Sequence, residues 1–331
     1  MSTETKATTR QFVTDLSDGQ RVDDVFLASE KQLRPNRAGN LYLQVRLSDR
    51  TGSMTCMMWN AEQRDYDSIS NGDFVRVQGS AQLFNSNMQV IAKSLERVST
   101  DAVSSEDFET VSDADIRILI ERLASHLRSM DNVHLRNLAE TIMVDDELIA
   151  RFKRCPAGIK NHHAWHGGLL EHVVQLIDLA AAVAPMYGEV DSDLLIMGCL
   201  LHDIGKTDEL TYEPDFGYSD AGQLLGHLVQ GVTILDRKIA DCEKQTGEEF
   251  PKELALQLRH MIVSHHGQLD MGSPRVPMTT EAIVLHFLDN MDAKLASIRQ
   301  IVAEDLNTDS NWTVYNPQLG RKIYKGNRTG G

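Results

Sequence analysis

The sequence predicts a chain in two parts: a small five-stranded β-barrel followed by an all-α helical bundle. Three observations carry that prediction. Between residues 12 and 98 the apolar residues recur with period two. From residue 113 to about 306 they recur at helical spacing. Between these regions, residues 99–112 are rich in Ser, Thr, Asp and Glu and read as a linker.

The strands come first. Leu41, Leu43, Val45 and Leu47 alternate with Tyr42, Gln44 and Arg46, as in a half-buried strand. Asp49-Arg50-Thr51-Gly52 is a turn, and Ser53 to Trp59 returns as the hairpin partner. Asn60 to Ser70 is expected to be a short helix. Phe74 to Leu83 and Met88 to Leu95 follow as strands, and Val22 to Leu33 supplies an earlier one. Five strands with a helix between the third and fourth fit a Greek-key barrel of the OB type. A five-stranded antiparallel sheet of another topology fits the same pattern.

The helical part has its own divisions. Ile116, Leu119, Ile120, Leu123 and Leu127 lie on one helical face, with Asp113 as the expected N-cap. Residues 113–158 read as a helical connector, broken at Cys155-Pro156-Ala157-Gly158. Residues 159–310 form the main bundle, and 311–331 a basic, aromatic C-terminal tail. Residues 1–11 read as a disordered tail without the apolar stretch of a secretory signal. No run of 18 apolar residues occurs, so no membrane span or membrane partner is expected.

Composition narrows the function classes. Cys56, Cys155, Cys199 and Cys242 are widely spaced, which argues against a disulfide framework and a thiolate zinc site. A reducing cytoplasm is the expected location. The net charge is −15, with 12 basic and 12 acidic residues in the first hundred positions. The acidity therefore lies beyond residue 100, and global charge gives no support for a nucleic-acid partner. The barrel and the tail escape the acidic field.

All twelve histidines lie between His126 and His286. His172 falls in an expected helix, and His202-Asp203 follows the apolar run Leu194 to Leu201. His227 begins another apolar segment, His265-His266 closes a helix, and Asp289 sits in the apolar stretch Ala282 to Leu295. Imidazoles and carboxylates on facing helices form a ligand set for divalent metals such as Mn, Fe, Co, Ni or Zn. A lone His-Asp pair is weak, since about one is expected by chance in such a composition. The ordered set, with Gly205 and Lys206 beside it, is much more specific.

That set, His … His-Asp … Asp, resembles the HD superfamily of metal-dependent phosphohydrolases. The run His162-His163-Ala164-Trp165-His166-Gly167-Gly168-Leu169-Leu170-Glu171-His172, after an OB-like barrel, resembles the YhaM-type family of 3′→5′ exoribonucleases. The resemblance covers about residues 12–325. It implies an HD-domain bundle in which His172, His202, Asp203 and Asp289 bind a first metal. Asp203 would bridge to a second metal on His227, His265 and His266. Two divalent ions are expected, manganese foremost. Asp203 and Lys206 are the expected catalytic residues, Lys206 as a point charge on phosphate. Asp292 competes with Asp289 for the last carboxylate position. His163 and His166 are candidates for contact with substrate or with the ligands. His286 is more readily structural.

Nucleic-acid contacts are expected in two places. OB barrels bind single strands on their second and third strands, where Tyr42, Arg46 and Trp59 are candidates. Arg76 is a further candidate on a later strand. In the tail, Arg321 and Lys322 lie among Trp312, Tyr315 and Tyr324. Each aromatic has a bland reading as a packing residue. The resulting expectation is a 3′→5′ exonuclease on single-stranded RNA, with DNA as a second substrate. The alternatives are an HD-type nucleotide or cyclic-nucleotide phosphohydrolase, and a nucleic-acid-binding regulator with a vestigial site. A homo-oligomer is compatible with the sequence.

Overall fold

The computed structural model describes residues 10–326, except 37, 85–86, 105–106, 109–112, 159–165, 212–216, 304, 306–309 and 318. The chain divides into two compact units, each taken here by itself.

The first unit is a closed five-stranded barrel. Its strands are β1 (Arg21–Pro35), β2 (Leu41–Asp49), β3 (Gly52–Trp59), β4 (Phe74–Phe84) and β5 (Asn87–Val98). Around the barrel they run β1-β2-β3-β5-β4, and β4 returns to β1. β1 is long enough to pair with β2 through its second half and β4 through its first. A register shift between Ser29 and Gln32, where Glu30 takes a positive φ, bends the strand between its two partners. Closure comes from a parallel pairing of Thr55–Met57 with Gln89–Ile91. The helix between the third and fourth strands, α1 (Gln63–Asp67), is shorter than expected. A capping box between Glu62 and Asp65 starts it.

Alternation along β2 fills the barrel. Leu43, Val45 and Leu47 are fully buried with Val22, Phe26, Val75, Val77 and Val90. Tyr42, Gln44 and Arg46 stand on the outer face, as the period-two pattern requires.

The second unit is helical. Its helices are α2 (Asp113–Arg128), α3 (Val133–Met143), α4 (Asp146–Arg154), α5 (Gly168–Val183), α6 (Ser192–Leu201), α7 (Lys206–Glu209), α8 (Asp220–Thr246), α9 (Lys252–Ser264) and α10 (Thr280–Ala303). A two-stranded ribbon, β6 (Leu210–Thr211) with β7 (Gly217–Tyr218), joins α7 to α8. Side-chain caps begin several helices: Asn132 for α3, Asp145 for α4, Asp191 for α6 and Ser219 for α8. α6 is apolar all round and buried from Leu194 to Leu201, with α5, α9 and α10 packed on it. The stretch Gly168–Met186 has the length and hydropathy of a membrane span, but half of it is buried in this bundle. It reads as a core helix, and it carries His172.

The tail folds as well. Trp312 pairs with Tyr324, and Asn316 with Arg321, in antiparallel bridges.

Candidate active site

The bundle brings five predicted residues to helix ends or breaks and two, His172 in α5 and Asp289 in α10, to helix faces. His202 ends α6, and Asp203 follows it. His265 ends α9, and His266 follows. His227 lies just past a break in α8, where Gly226 has φ +72° and ψ 161°. The helix therefore restarts at His227. Asp289 sits within α10. Helix ends suit this work because the chain turns away there and leaves the side chain facing inward.

These side chains converge. His172 Nε2 lies 3.3 Å from His202 Nε2 and 3.3 Å from Asp289 Oδ1. Asp203 faces both histidine groups: its Oδ2 is 3.4 Å from His202 Nε2, and its Oδ1 is 3.5 Å from His227 Nε2 and 3.6 Å from His265 Nε2. Two sets of donor atoms, one from His172, His202 and Asp203 and one from His227, His265 and His266, are compact enough to hold a metal ion each.

Second contacts aim the imidazoles. His172 Nδ1 lies 2.9 Å from Asp292 Oδ2. His202 Nδ1 lies 2.8 Å from the Cys199 carbonyl, and His265 Nδ1 2.8 Å from that of Ile262. Each Nδ1 can donate, which turns each Nε2 inward. Asp292 thus stands behind His172 on its Nδ1 side, whereas Asp289 Oδ1 stands on the Nε2 side, 3.3 Å from His172 and 4.0 Å from His202. His286 Nδ1 donates to the His265 carbonyl at 2.7 Å and steadies the His265-His266 turn.

The site's electrostatics fit a cation. With both Nδ1 atoms donating outward, the two Nε2 lone pairs of His172 and His202 face each other 3.3 Å apart and suit a proton or a cation between them. Burial opposes protonation of His172, yet hydrogen bonds to Asp289 and Asp292 outweigh burial and raise its pKa to about 9. Burial would raise the Asp203 carboxyl too, but Lys206 and His202 hold it well below the usual range. Asp289 is likewise depressed against its burial, chiefly by His172. Burial lowers His265 and His266, helped by His202 and His227 respectively, and keeps them neutral. Asp203 Oδ1 and His227 Nε2 are buried without a hydrogen-bond partner. Ionised carboxylates, the neutral imidazoles of His265 and His266 and orphaned buried donor atoms together fit a divalent metal.

Three placements bear on the expectations. Lys206 does not reach out as a free charge: its Nζ donates to Asp203 Oδ2 at 2.6 Å and to the Ala157 carbonyl at 2.7 Å. Arg76 lies on β4, which borders β1 and β5, and its Nε donates to Asp23 Oδ1 at 2.7 Å. It does not join the β2–β3 face. His166 lies outside both donor sets, with Nδ1 3.3 Å from the Arg154 carbonyl. His163 lies outside the described residues.

Glu209 is a residue that the sequence reading misses. It is buried, and its Oε1 accepts from the His227 backbone N–H at 3.0 Å and lies 3.2 Å from His227 Nδ1. It both caps the restarted helix and aims the ring. An acidic run, Asp208-Glu209, gives no signal of this on its own. Gly205 allows α7 to lie against the restarted helix, since a Cβ there would lie 2.0 Å from the His227 carbonyl oxygen and 2.5 Å from the Gly231 nitrogen.

On the barrel, Tyr42 and Trp59 are cross-strand partners with ring centroids 5.3 Å apart. Trp59 is half exposed, so it belongs to the surface and not to the core. Arg46 lies on the same sheet and donates to Ser53 Oγ at 2.6 Å. In the tail, Arg321 and Lys322 are exposed.

Comparison with known proteins agrees with both units. The HD domain family matches residues 169–294, and the OB-fold nucleic acid binding domain family matches residues 28–98. The 3′-5′ exoribonuclease YhaM of Bacillus subtilis is 32% identical over 280 residues, which cover 84% of this chain and 86% of that protein. The protein of the same name from Geobacillus sp. is 31% identical over 281 residues, 85% of this chain and 84% of its own length. That from Halalkalibacterium halodurans is 29% identical over 278 residues, 84% of each. The match runs through both units and not through the metal-type motif alone, and the chain therefore belongs to the YhaM family of 3′-5′ exoribonucleases.

Proposed function

We propose that this chain is a metal-dependent exoribonuclease that removes nucleoside monophosphates from the 3′ end of single-stranded RNA. Family membership supports the reaction class. The observation that carries the site is Asp203, whose two oxygens face two separate histidine groups. His172, His202, Asp203 and Asp289 would hold one divalent ion. His227, His265 and His266 would hold a second, with Asp203 shared between them. Manganese suits this mixed N/O set. When bound, such ions neutralise phosphate charge and lower the pKa of water.

The chain's own residues prepare that chemistry. Lys206 keeps Asp203 ionised and fixes one of its oxygens. Glu209 and Asp292 orient His227 and His172. Outside the bundle, the Tyr42–Trp59 pair offers stacking surface to unpaired bases, and stacking tolerates any base sequence. The four cysteines are buried and unpaired, which supports a reducing cytoplasm as the site of action.

The test compares two labels on one RNA. With Mn²⁺, a 3′-labelled strand should release its label at once as mononucleotide, while a 5′-labelled strand shortens stepwise. Simultaneous appearance of internal fragments would mean endonucleolytic cleavage and would refute the proposal. Turnover of free mononucleotides or cyclic nucleotides in preference to the strand would favour the small-molecule alternative.

A further inference from the structure

The C-terminal hairpin presents a face that the metal centre does not use. Thr313 donates its backbone N–H to the Ile323 carbonyl at 2.9 Å, and the Thr313 hydroxyl accepts from the Ile323 N–H at 2.9 Å. Thr313 is buried. Alternation then places Trp312 and Val314, with Lys322 and Tyr324 opposite them, on the outer face. All four are exposed. The Trp312 and Tyr324 rings lie 4.9 Å apart at 56°. Trp312 and Tyr324 thus form an exposed aromatic pair on the face that also carries Lys322.

We propose that this face is a second stacking platform for single-stranded RNA, an inference that rests on the exoribonuclease reading above. Charge selects the occupant. Residues 101–310 hold 17 basic and 36 acidic side chains, whereas residues 311–331 hold no acidic ones and four basic ones, of which Arg321 and Lys322 are exposed and Lys325 is paired with Asp305. A polyanion is repelled by the bundle's overall field and admitted at the hairpin. Aromatic rings beside a lysine match the base and phosphate of one nucleotide step. An acidic protein segment would satisfy Lys322 and leave the paired rings without a flat partner.

The hairpin is fixed to the catalytic helix. Lys325 Nζ lies 2.5 Å from Asp305 Oδ2, and the Val314 N–H donates to Asp305 Oδ1 at 3.3 Å. Asp305 follows α10, the helix that carries Asp289. Along α10, Asp289 and its end at Ala303 are separated by about 20 Å at 1.5 Å per residue. The platform therefore meets nucleotides upstream of the 3′ end and leaves the scissile one to the metal centre.

The experiment is binding of a 5′-labelled 20-nucleotide oligouridine to the full-length chain by fluorescence anisotropy, in EDTA so that the strand stays intact. Trp312→Ala and Tyr324→Ala should each weaken binding about tenfold, in line with stacking energies. Lys322→Gln, an exposed substitution that leaves the hairpin's hydrogen bonds in place, should lower the slope of log affinity against log salt by about one. Thermal melts of all three variants should match the wild type, which separates a lost contact from a lost fold. Unchanged strand affinity in the aromatic variants, or an unchanged salt slope in Lys322→Gln, overturns the platform. A wild-type chain that binds the strand by these criteria but does not shorten it with Mn²⁺ overturns the exoribonuclease reading and leaves the platform standing.

Discussion

Glu209 and His227 are joined twice: one carboxylate oxygen accepts the His227 backbone N–H at 3.0 Å and lies 3.2 Å from the same residue's Nδ1. The first contact restarts α8 after Gly226. The second turns Nε2 toward Asp203 Oδ1. Glu209→Ala should lower the affinity of the second metal site by about 10–100-fold, the usual cost of losing such a support. Glu209→Gln, which keeps an acceptor oxygen, should lose less. Isothermal titration with Mn²⁺ reads both. Equal affinity in wild type and Glu209→Ala would show that His227 needs no such support.

Lys206 predicts a stability effect. Its ammonium is the main positive neighbour of buried Asp203. Lys206→Met leaves that carboxylate without its partner, and breaking a buried pair costs on the order of 3 kcal/mol. The metal-free variant should melt well below the metal-free wild type. Added Mn²⁺ should recover much of the loss, because a cation replaces the missing charge. Denaturation with and without metal checks both halves.

His172 predicts a pH effect. Its pKa in the metal-free fold is raised to about 9, against 6.5 for a free imidazole. The folded chain therefore binds this proton more tightly than the unfolded one. The resulting stability is complete below pH 6.5 and is lost as pH rises toward 9. Metal binding at pH 7 must expel the proton, so affinity should rise with pH up to about 9. Calorimetry at pH 7 in buffers of different ionisation enthalpy should show about one proton released per first ion bound. No buffer dependence would contradict the assignment of His172 as a ligand.

Gly205 predicts a packing effect. Gly205→Ala drives a methyl into the His227 carbonyl and the Gly231 nitrogen, both of them backbone. Neither can give way without moving α8 from α7. A loss of roughly 3 kcal/mol in stability is expected, at the upper end for overpacking. Weaker metal binding should accompany it, because α8 carries His227. Thermal melts and metal titration of the same sample separate the two effects.

Sequence pattern and three-dimensional packing divide the work unevenly. Alternation at Leu41, Leu43, Val45 and Leu47 is enough to locate β2 and to assign its faces, since period two is a local property. The parallel pairing of β3 with β5 that closes the barrel is not local, and no residue between Thr55 and Gln89 announces it. The same holds in the site. The ligand types and their order are visible along the chain. Asp289 and Asp292 lie one turn apart on one helix, and only the packing of α5 against α10 decides which faces the donor atoms. Arg76 reads as a free cation until the β1–β4 register sets Asp23 within its reach. Glu209 is hidden for a similar reason, since its role depends on a helix break 17 residues further on.

The central claim is that the seven donor residues form one hydrolytic centre for RNA, and stoichiometric metal addition tests it most directly. Metal-free protein is titrated with Mn²⁺ while 5′-labelled single-stranded RNA is followed for stepwise shortening. The account predicts that shortening reaches its plateau at about two equivalents of metal per chain, and that Asp203→Ala gives none at any addition. Full activity at one equivalent would contradict the two-ion arrangement, and shortening by Asp203→Ala at the wild-type rate would contradict the site itself.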